Sequence, residues 1–453
     1  MQTKRILLGL ALLACCTTAA LAQVTANDSI SGPPQGPPPG GFGGGPGDPP
    51  PGPPPGGFGG GPGGGGPGNH LQEGAASPTG YSQTEGTNAV EGKTYTSTNS
   101  DENAVQVKGG TFTMTNCTIE KFEGNTQDSD GSSFCGTNSA VYAAGEGTVI
   151  NMKGGTIKSK VSGVNGIMAY NSGTINVSDV TITSESSLSR GLHATGGGII
   201  NAKNLNITTQ GTSCSVIATD RGGGTVTVEG GNYTTSGYNS AVAYSTGNIT
   251  VTGATGLSTQ GEAGVIEGSN FLTFNDCNLT SGSSLRGIMI LQSGSGDAEG
   301  FEGVVDVNRG KLTLTGENTP LVEVPTNTTG TVTLKDVELT VPSGVLMVVN
   351  YNKQWQTKGG TGNLILATDK KAATYEGDVK ADEYSTATVK VNANVTWKGA
   401  FDNANAAKST SATICGMWVL TADSHVDSIV IEKGGKIDKN GFNLDCNSIQ
   451  DNN

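Results

Sequence analysis

Asn138-Ser139-Ala140-Val141, Asn165-Gly166-Ile167-Met168, Arg190-Gly191-Leu192-His193, Cys214-Ser215-Val216-Ile217, Asn239-Ser240-Ala241-Val242, Ala263-Gly264-Val265-Ile266 and Arg286-Gly287-Ile288-Met289 are seven forms of one phrase. Successive copies begin 23 to 27 residues apart. A second apolar alternation follows each, as in Thr174-Ile175-Asn176-Val177-Ser178-Asp179-Val180-Thr181-Ile182. A fixed period of this length marks a repeat architecture. Period-two alternation marks strands, with Ile175 and Val177 facing one way and Asn176 and Ser178 the other.

A coil this short cannot enclose a core alone, whereas stacked coils can, each strand pairing with its equivalent about 4.8 Å away. The expected fold is therefore all-β: a right-handed parallel β-helix with three short strands per coil of roughly 22–27 residues. A propeller needs longer repeats, and a β-sandwich needs no constant register. Stacking predicts an aliphatic ladder of Ile167, Leu192, Val216, Ala241, Val265 and Ile288. It leaves Met168, Ile217 and Met289 as candidates for an exposed apolar stripe. Asn116, Asp179, Asn204, Gly230, Asp276 and Asp336 recur at a tight turn, where they tolerate left-handed backbone.

Composition agrees. Gly supplies 72 of 453 residues, while charged residues are 14% and aromatics 5%. Abundant Gly, Ser, Thr and Asn disfavour helix and suit short strands. A net charge of −13 excludes nucleic acid as an expected partner, because that needs a basic footprint.

The remaining chain divides around the array. Lys4-Arg5, the apolar run Ile6 to Ala14 and Ala20-Leu21-Ala22 read as an export signal over residues 1–22. Leu12-Leu13-Ala14-Cys15 offers the alternative of a lipid anchor at Cys15. Residues 23–68 read as a disordered Pro/Gly-rich spacer, in which PPPGGFGGGPG occurs twice. Fully extended, its Pro/Gly part would reach on the order of 100 Å. Residues 69–101 read as a lead-in segment or N-terminal cap, 102–350 as the regular β-helix, and 351–453, with Trp355 and Trp397, as a looser continuation and C-terminal cap. No stretch is long and apolar enough for a transmembrane helix. Of the cysteines past the signal, Cys117 and Cys277 fall in an apolar column and read as buried thiols. Cys415 and Cys446 are the pair to test for a disulfide.

Coils 138–350 and the ending Ala422-Asp423-Ser424-His425-Val426-Asp427 resemble the right-handed parallel β-helix proteins secreted by gut bacteria, described as pectin-lyase-like or adhesin-like repeats. The resemblance covers roughly residues 100–445. It implies a fold that hosts polysaccharide lyases, hydrolases and non-catalytic surface adhesins, so it speaks to fold more than to activity.

Chemistry is sought in the departures from the pattern. Two insertions, 122–135 and 292–303, belong on one face of a solenoid. Asp128 and Asp130 in the first, and Asp297, Glu299 and Glu302 in the second, are loop carboxylates that would serve Ca²⁺ if any ion is bound. Asp220-Arg221 is the best local polar pair and reads first as a surface ion pair. His193 interrupts an apolar column and reads as a turn-edge residue. These positions, His193, Asp220, Arg221, Asp297, Glu299 and Glu302, are the candidate ligand-binding residues. No motif assembles a catalytic set. Thr113, Asn151, Asn176, Asn201, Thr227, Thr250, Thr273 and Thr333 stack as an outward ladder, which is the ordinary way to solvate a β-helix face and is also a surface that could meet a glycan or ice. The expected function is a non-catalytic, secreted or surface-tethered adhesin-like protein binding a polysaccharide, host or cell-surface ligand. A polysaccharide lyase or glycoside hydrolase is the alternative.

Overall fold

The computed structural model describes residues 72–293, 295–352 and 358–453. Residues 1–22, read as an export signal, Cys15, the expected Pro/Gly spacer and Trp355 lie outside them.

The described chain is a parallel β-helix. Its first wall, sheet 1, has twelve strands, from Ala75–Gln83 through Asn165–Tyr170, Leu192–Thr195 and Gly264–Glu267 to Asp378–Ala381, all paired in parallel. Sheet 2 supplies the two other sides of most coils. One coil, for example, runs Asn165–Tyr170, Thr174–Ser178 and Thr181–Ser184. In other coils the two arms of sheet 2 join into one long strand, as in Val149–Ser159 and Phe271–Ser281. Residues 72–101 contribute the strands Ala75–Gln83, Thr87–Glu91 and Thr94–Thr96, which pair with the following coil. Near the other end a small sheet 3 links Ala373–Glu376, Val395–Lys398, Met417–Val419 and Lys436–Asp438.

The turn column follows expectation. Asn116, Asp179, Asn204, Asp276 and Asp336 all have φ between 52° and 58°, and Gly230 has φ 64°. Arg309 shares the column at φ 61° and reaches back to Asp276 through two hydrogen bonds of 2.7 and 2.8 Å. Cys117 and Cys277 are buried beside it in the apolar column, where they act as small hydrophobes.

The glycine of the repeated phrase has a steric cause. A Cβ at Gly191 would lie 2.7 Å from the Val216 carbonyl of the next coil, and one at Gly287 2.8 Å from the Leu321 carbonyl. Only glycine lets the backbone pass there without moving a neighbour.

Two expectations for sheet 1 are corrected by its register. The inward ladder is Ile167, Leu192, Ile217, Ala243, Gly264, Ile288 and Val322, in place of Val216, Ala241 and Val265. The residues before each strand differ in number between coils, and a one-residue slip exchanges the two faces. The outward column is Met168, His193, Ala218, Tyr244, Val265, Met289 and Glu323. There is no exposed stripe of Met168, Ile217 and Met289, since all three are buried. Ile217 belongs to the main core, while Met168 and Met289 lie in two satellite clusters.

The expected Cys415–Cys446 disulfide is also absent: both thiols are free. Cys446 pairs in register with Val426, whereas Cys415 follows Ile414, whose partner is Ile431. Among the described residues, no helix is long and apolar enough to cross a membrane.

Candidate functional site

Most of the outward column of sheet 1 is apolar, and Met168, His193, Ala218, Val265 and Met289 are buried where a solvated β-helix face would be polar and open, so something must cover it. The two insertions meet over this face. The first ends in a single π-helical turn, Gly131–Cys135, whose residues are all buried. Asp128 accepts hydrogen bonds from the amides of Asp130 and Gly131, at 3.1 and 2.9 Å, and so caps the turn. Thr195 then donates to the Phe134 carbonyl (2.8 Å), and Asn165 Nδ2 donates to the Ser132 carbonyl (2.9 Å). The second insertion enters through Asp297, which lies 2.7 Å from Arg221 Nη2.

Beneath these loops lies a chain of buried polar side chains. His193 is fully buried; its Nδ1 lies 3.0 Å from Asn165 Oδ1. Because Asn165 uses its amide nitrogen as a donor, its oxygen faces the ring and takes the Nδ1 proton; burial, then Arg190, opposes a second proton on the ring and so favours a bare Nε2. Nε2 has no hydrogen-bond partner and stands 3.8 Å from Asp220 Oδ2. Arg190 Nη2 lies 3.6 Å from the same oxygen, while its Nη1 donates to Ser133 Oγ (3.1 Å) in the first insertion. Arg221 covers the Phe134 ring at 4.0 Å, a cation–π contact within the usual range.

Electrostatics follow from burial. Burial pushes the Asp220 carboxyl up to about 7, against the pull of Arg190, with Asp297 and Glu267 adding to the rise. Burial, then Arg190, holds His193 well below its ordinary value. Glu267 is raised by burial and by Asp297, although it accepts hydrogen bonds from Tyr244 Oη (2.9 Å), the Ser293 amide (3.2 Å) and the Ser293 hydroxyl. Burial and Asp128 likewise raise Asp130, with Arg221 opposing.

The sequence candidates therefore divide. His193, Asp220, Arg221 and Asp297 come together, with Asp130 nearby. Glu299 and Glu302 do not join them, being exposed at the end of the second insertion. Asp220 and Arg221 are not a surface ion pair. Asp220 is buried and faces Arg190 and His193, and Arg221 turns to Asp297. His193 is no turn-edge residue either; it lies within the strand Leu192–Thr195. Asn165, Tyr244 and Glu267 are not singled out by sequence, although Asn165 opens its copy of the phrase; Arg190 stands out there with Arg286 as one of two arginines in the first column, too far apart to act together. Among the described residues, no three His, Cys, Asp or Glu side chains gather closely enough to hold a metal ion.

The outward face of sheet 2 is different. Thr113, Asn151, Asn176, Asn201, Thr227, Thr250 and Thr273 stand in unbroken register. Asp306 follows before Thr333. Asn176 donates to Asn151 and Asn201 to Asn176, each at 2.9 Å, so the amides hold one another in place. A parallel column two residues away runs Val149, Thr174, Ile199, Thr225, Asn248, Phe271 and Val304, with Ile199 and Phe271 exposed. On the other side, Lys153 and Lys203 border a shallow groove along Asn151, Asn176 and Asn201.

Compared with described protein families, curated proteins and solved structures, the chain finds no match.

Proposed function

We propose that this chain is a non-catalytic, secreted or surface-tethered binding protein that takes an extended polysaccharide along the outward face of sheet 2. The asparagine ladder carries the reading. Each amide has two donors and two acceptor lone pairs, and the coil-to-coil bond of Asn176 uses one of each, leaving one of each for a sugar hydroxyl. The side chains are already fixed, so little rotamer entropy is lost on binding. Ile199 and Phe271 beside the ladder offer apolar surface to the C–H face of a sugar ring.

The export signal and the spacer read from the sequence support secretion with the rod held off a surface. One observation favours the enzymatic reading: Arg190, His193 and Asp220 converge. They do so under a closed cover, each less than a tenth exposed. A lyase needs its base and its carboxylates on an open groove.

Electrophoresis of the full chain through gels containing single polysaccharides tests the proposal. Retardation by one polymer, lost when Asn151, Asn176 and Asn201 are replaced together by Ala, supports it. Retardation unchanged by that triple substitution removes the ladder from the account.

A further inference from the structure

The cover over sheet 1 contains an arrangement that the binding reading does not use. Asn165 fixes the imidazole of His193 with its proton on Nδ1, and the ring's Nε2, which has no hydrogen-bond partner, faces a carboxylate oxygen of Asp220 across 3.8 Å. Two acceptors buried face to face repel unless a proton lies between them. The same carboxyl is tied to both insertions. Arg190, 3.6 Å from it, holds Ser133, and the amide of Arg221, which holds Asp297, donates to Asp220 Oδ1 at 2.9 Å.

We infer that Asp220 and His193 share a single proton inside the closed cover, carried on the carboxyl, and that opening the cover passes this proton to the histidine. The cover is then an acid-tolerant clasp for residues 122–135 and for the part of the second insertion around Asp297. The balance is simple. Closed, the pair holds one proton, as a neutral acid beside a neutral imidazole. Open in water at mildly acidic pH, it also holds one proton, as a carboxylate and an imidazolium. Because opening neither takes up nor releases a proton from this pair, the pair adds no pH dependence to it between the ordinary values of the two groups, 3.8 and 6.5.

A buried histidine without this partner behaves differently. It would resist protonation when closed and accept it when open, so acid would open the cover about tenfold per pH unit below 6.5. The other ionisable groups around the pair are Arg190, Arg221, Tyr244, Glu267, Asp130 and Asp297. Glu267 and Asp130 are raised by burial and so oppose opening in acid, equally in wild type and in a variant at Asp220.

The test is hydrogen exchange of the full chain, read by mass spectrometry over residues 122–137 at about pH 5 and pH 6.5 and corrected for intrinsic rates. Asp220→Asn keeps the shape and can still donate to Nε2, but it has no proton to hand over. The opening ratio between the two pH values should therefore be roughly tenfold or more higher in Asp220→Asn than in wild type. Parallel profiles would overturn the inference. If the variant fails to fold, nitrogen NMR of the wild type decides: His193 should stay neutral with its proton on Nδ1 over this range, and titration near its ordinary value would overturn the clasp.

Discussion

Arg221 and Asp297 stand 76 residues apart in sequence and 2.7 Å apart in space, joining a turn after one strand of sheet 1 to the inserted loop of a later coil. With Phe134 stacked under the same guanidinium at 4.0 Å, this pair fastens both insertions over one face.

Removing one partner leaves the other charge buried. Arg221→Ala abandons the Asp297 carboxylate, which is almost wholly enclosed, and should cost about 3 kcal/mol of local stability. Because a solenoid need not unfold in one step, the readout is local: protease cleavage within 122–137 and 292–301 should accelerate while the distant coils keep their protection.

The covering of sheet 1 also sets a pH dependence. Glu267 is raised in the folded state, so its protonated form adds stability that is complete in acid and is lost as pH rises through and above its ordinary value. Glu267→Gln should flatten that slope in a thermal-melting series from mild acid to neutrality. An unchanged slope would mean that Glu267 titrates as if solvated.

At the far end, Trp397 and Trp418 are fully buried and stacked, centroids 4.9 Å apart and planes 12° apart. Each indole donates to a backbone carbonyl of its neighbourhood, Gly377 and Gly399, at 2.8 and 2.9 Å. Trp418→Ala should cost roughly 3–5 kcal/mol, detected as an early unfolding phase confined to the coils around sheet 3.

The cysteines give a chemical check. Cys117, Cys135, Cys214 and Cys277 are buried and free, and Cys415 and Cys446 are free and only partly exposed. An aromatic-disulfide thiol reagent should label Cys415 and Cys446 on the folded protein and the other four only after unfolding. Mass spectrometry without reductant should find no disulfide among the six.

How much of this was legible in the sequence follows from what sets each feature. The turn column of Asn116, Asp179 and Asp336 and the outward run Asn151, Asn176, Asn201 depend on local backbone geometry and a constant period, which the chain spells out. The inward ladder was misread at Val216, Ala241 and Val265 because register turns on a single residue before each strand, and the phrase does not mark it. The polar cluster was half legible. His193, Asp220 and the insertions stood out as departures, but their convergence depends on where a loop folds back over the rod. Asn165, at the head of its phrase, looks like ordinary variation, and Arg190 reads there as an arginine too far from Arg286 to act with it; they prove to be the partners that orient His193 and Asp220.

The central claim, binding without cleavage on the ladder face, is tested most directly by incubating the wild type and the Asn151/Asn176/Asn201→Ala variant with a panel of polysaccharides, assaying bound protein and newly formed chain ends in the same tubes. The account predicts one or more polymers that retain the wild type, at least tenfold weaker retention of the variant, and no new chain ends. New reducing or unsaturated ends made by the wild type, or equal retention of both proteins, would contradict it.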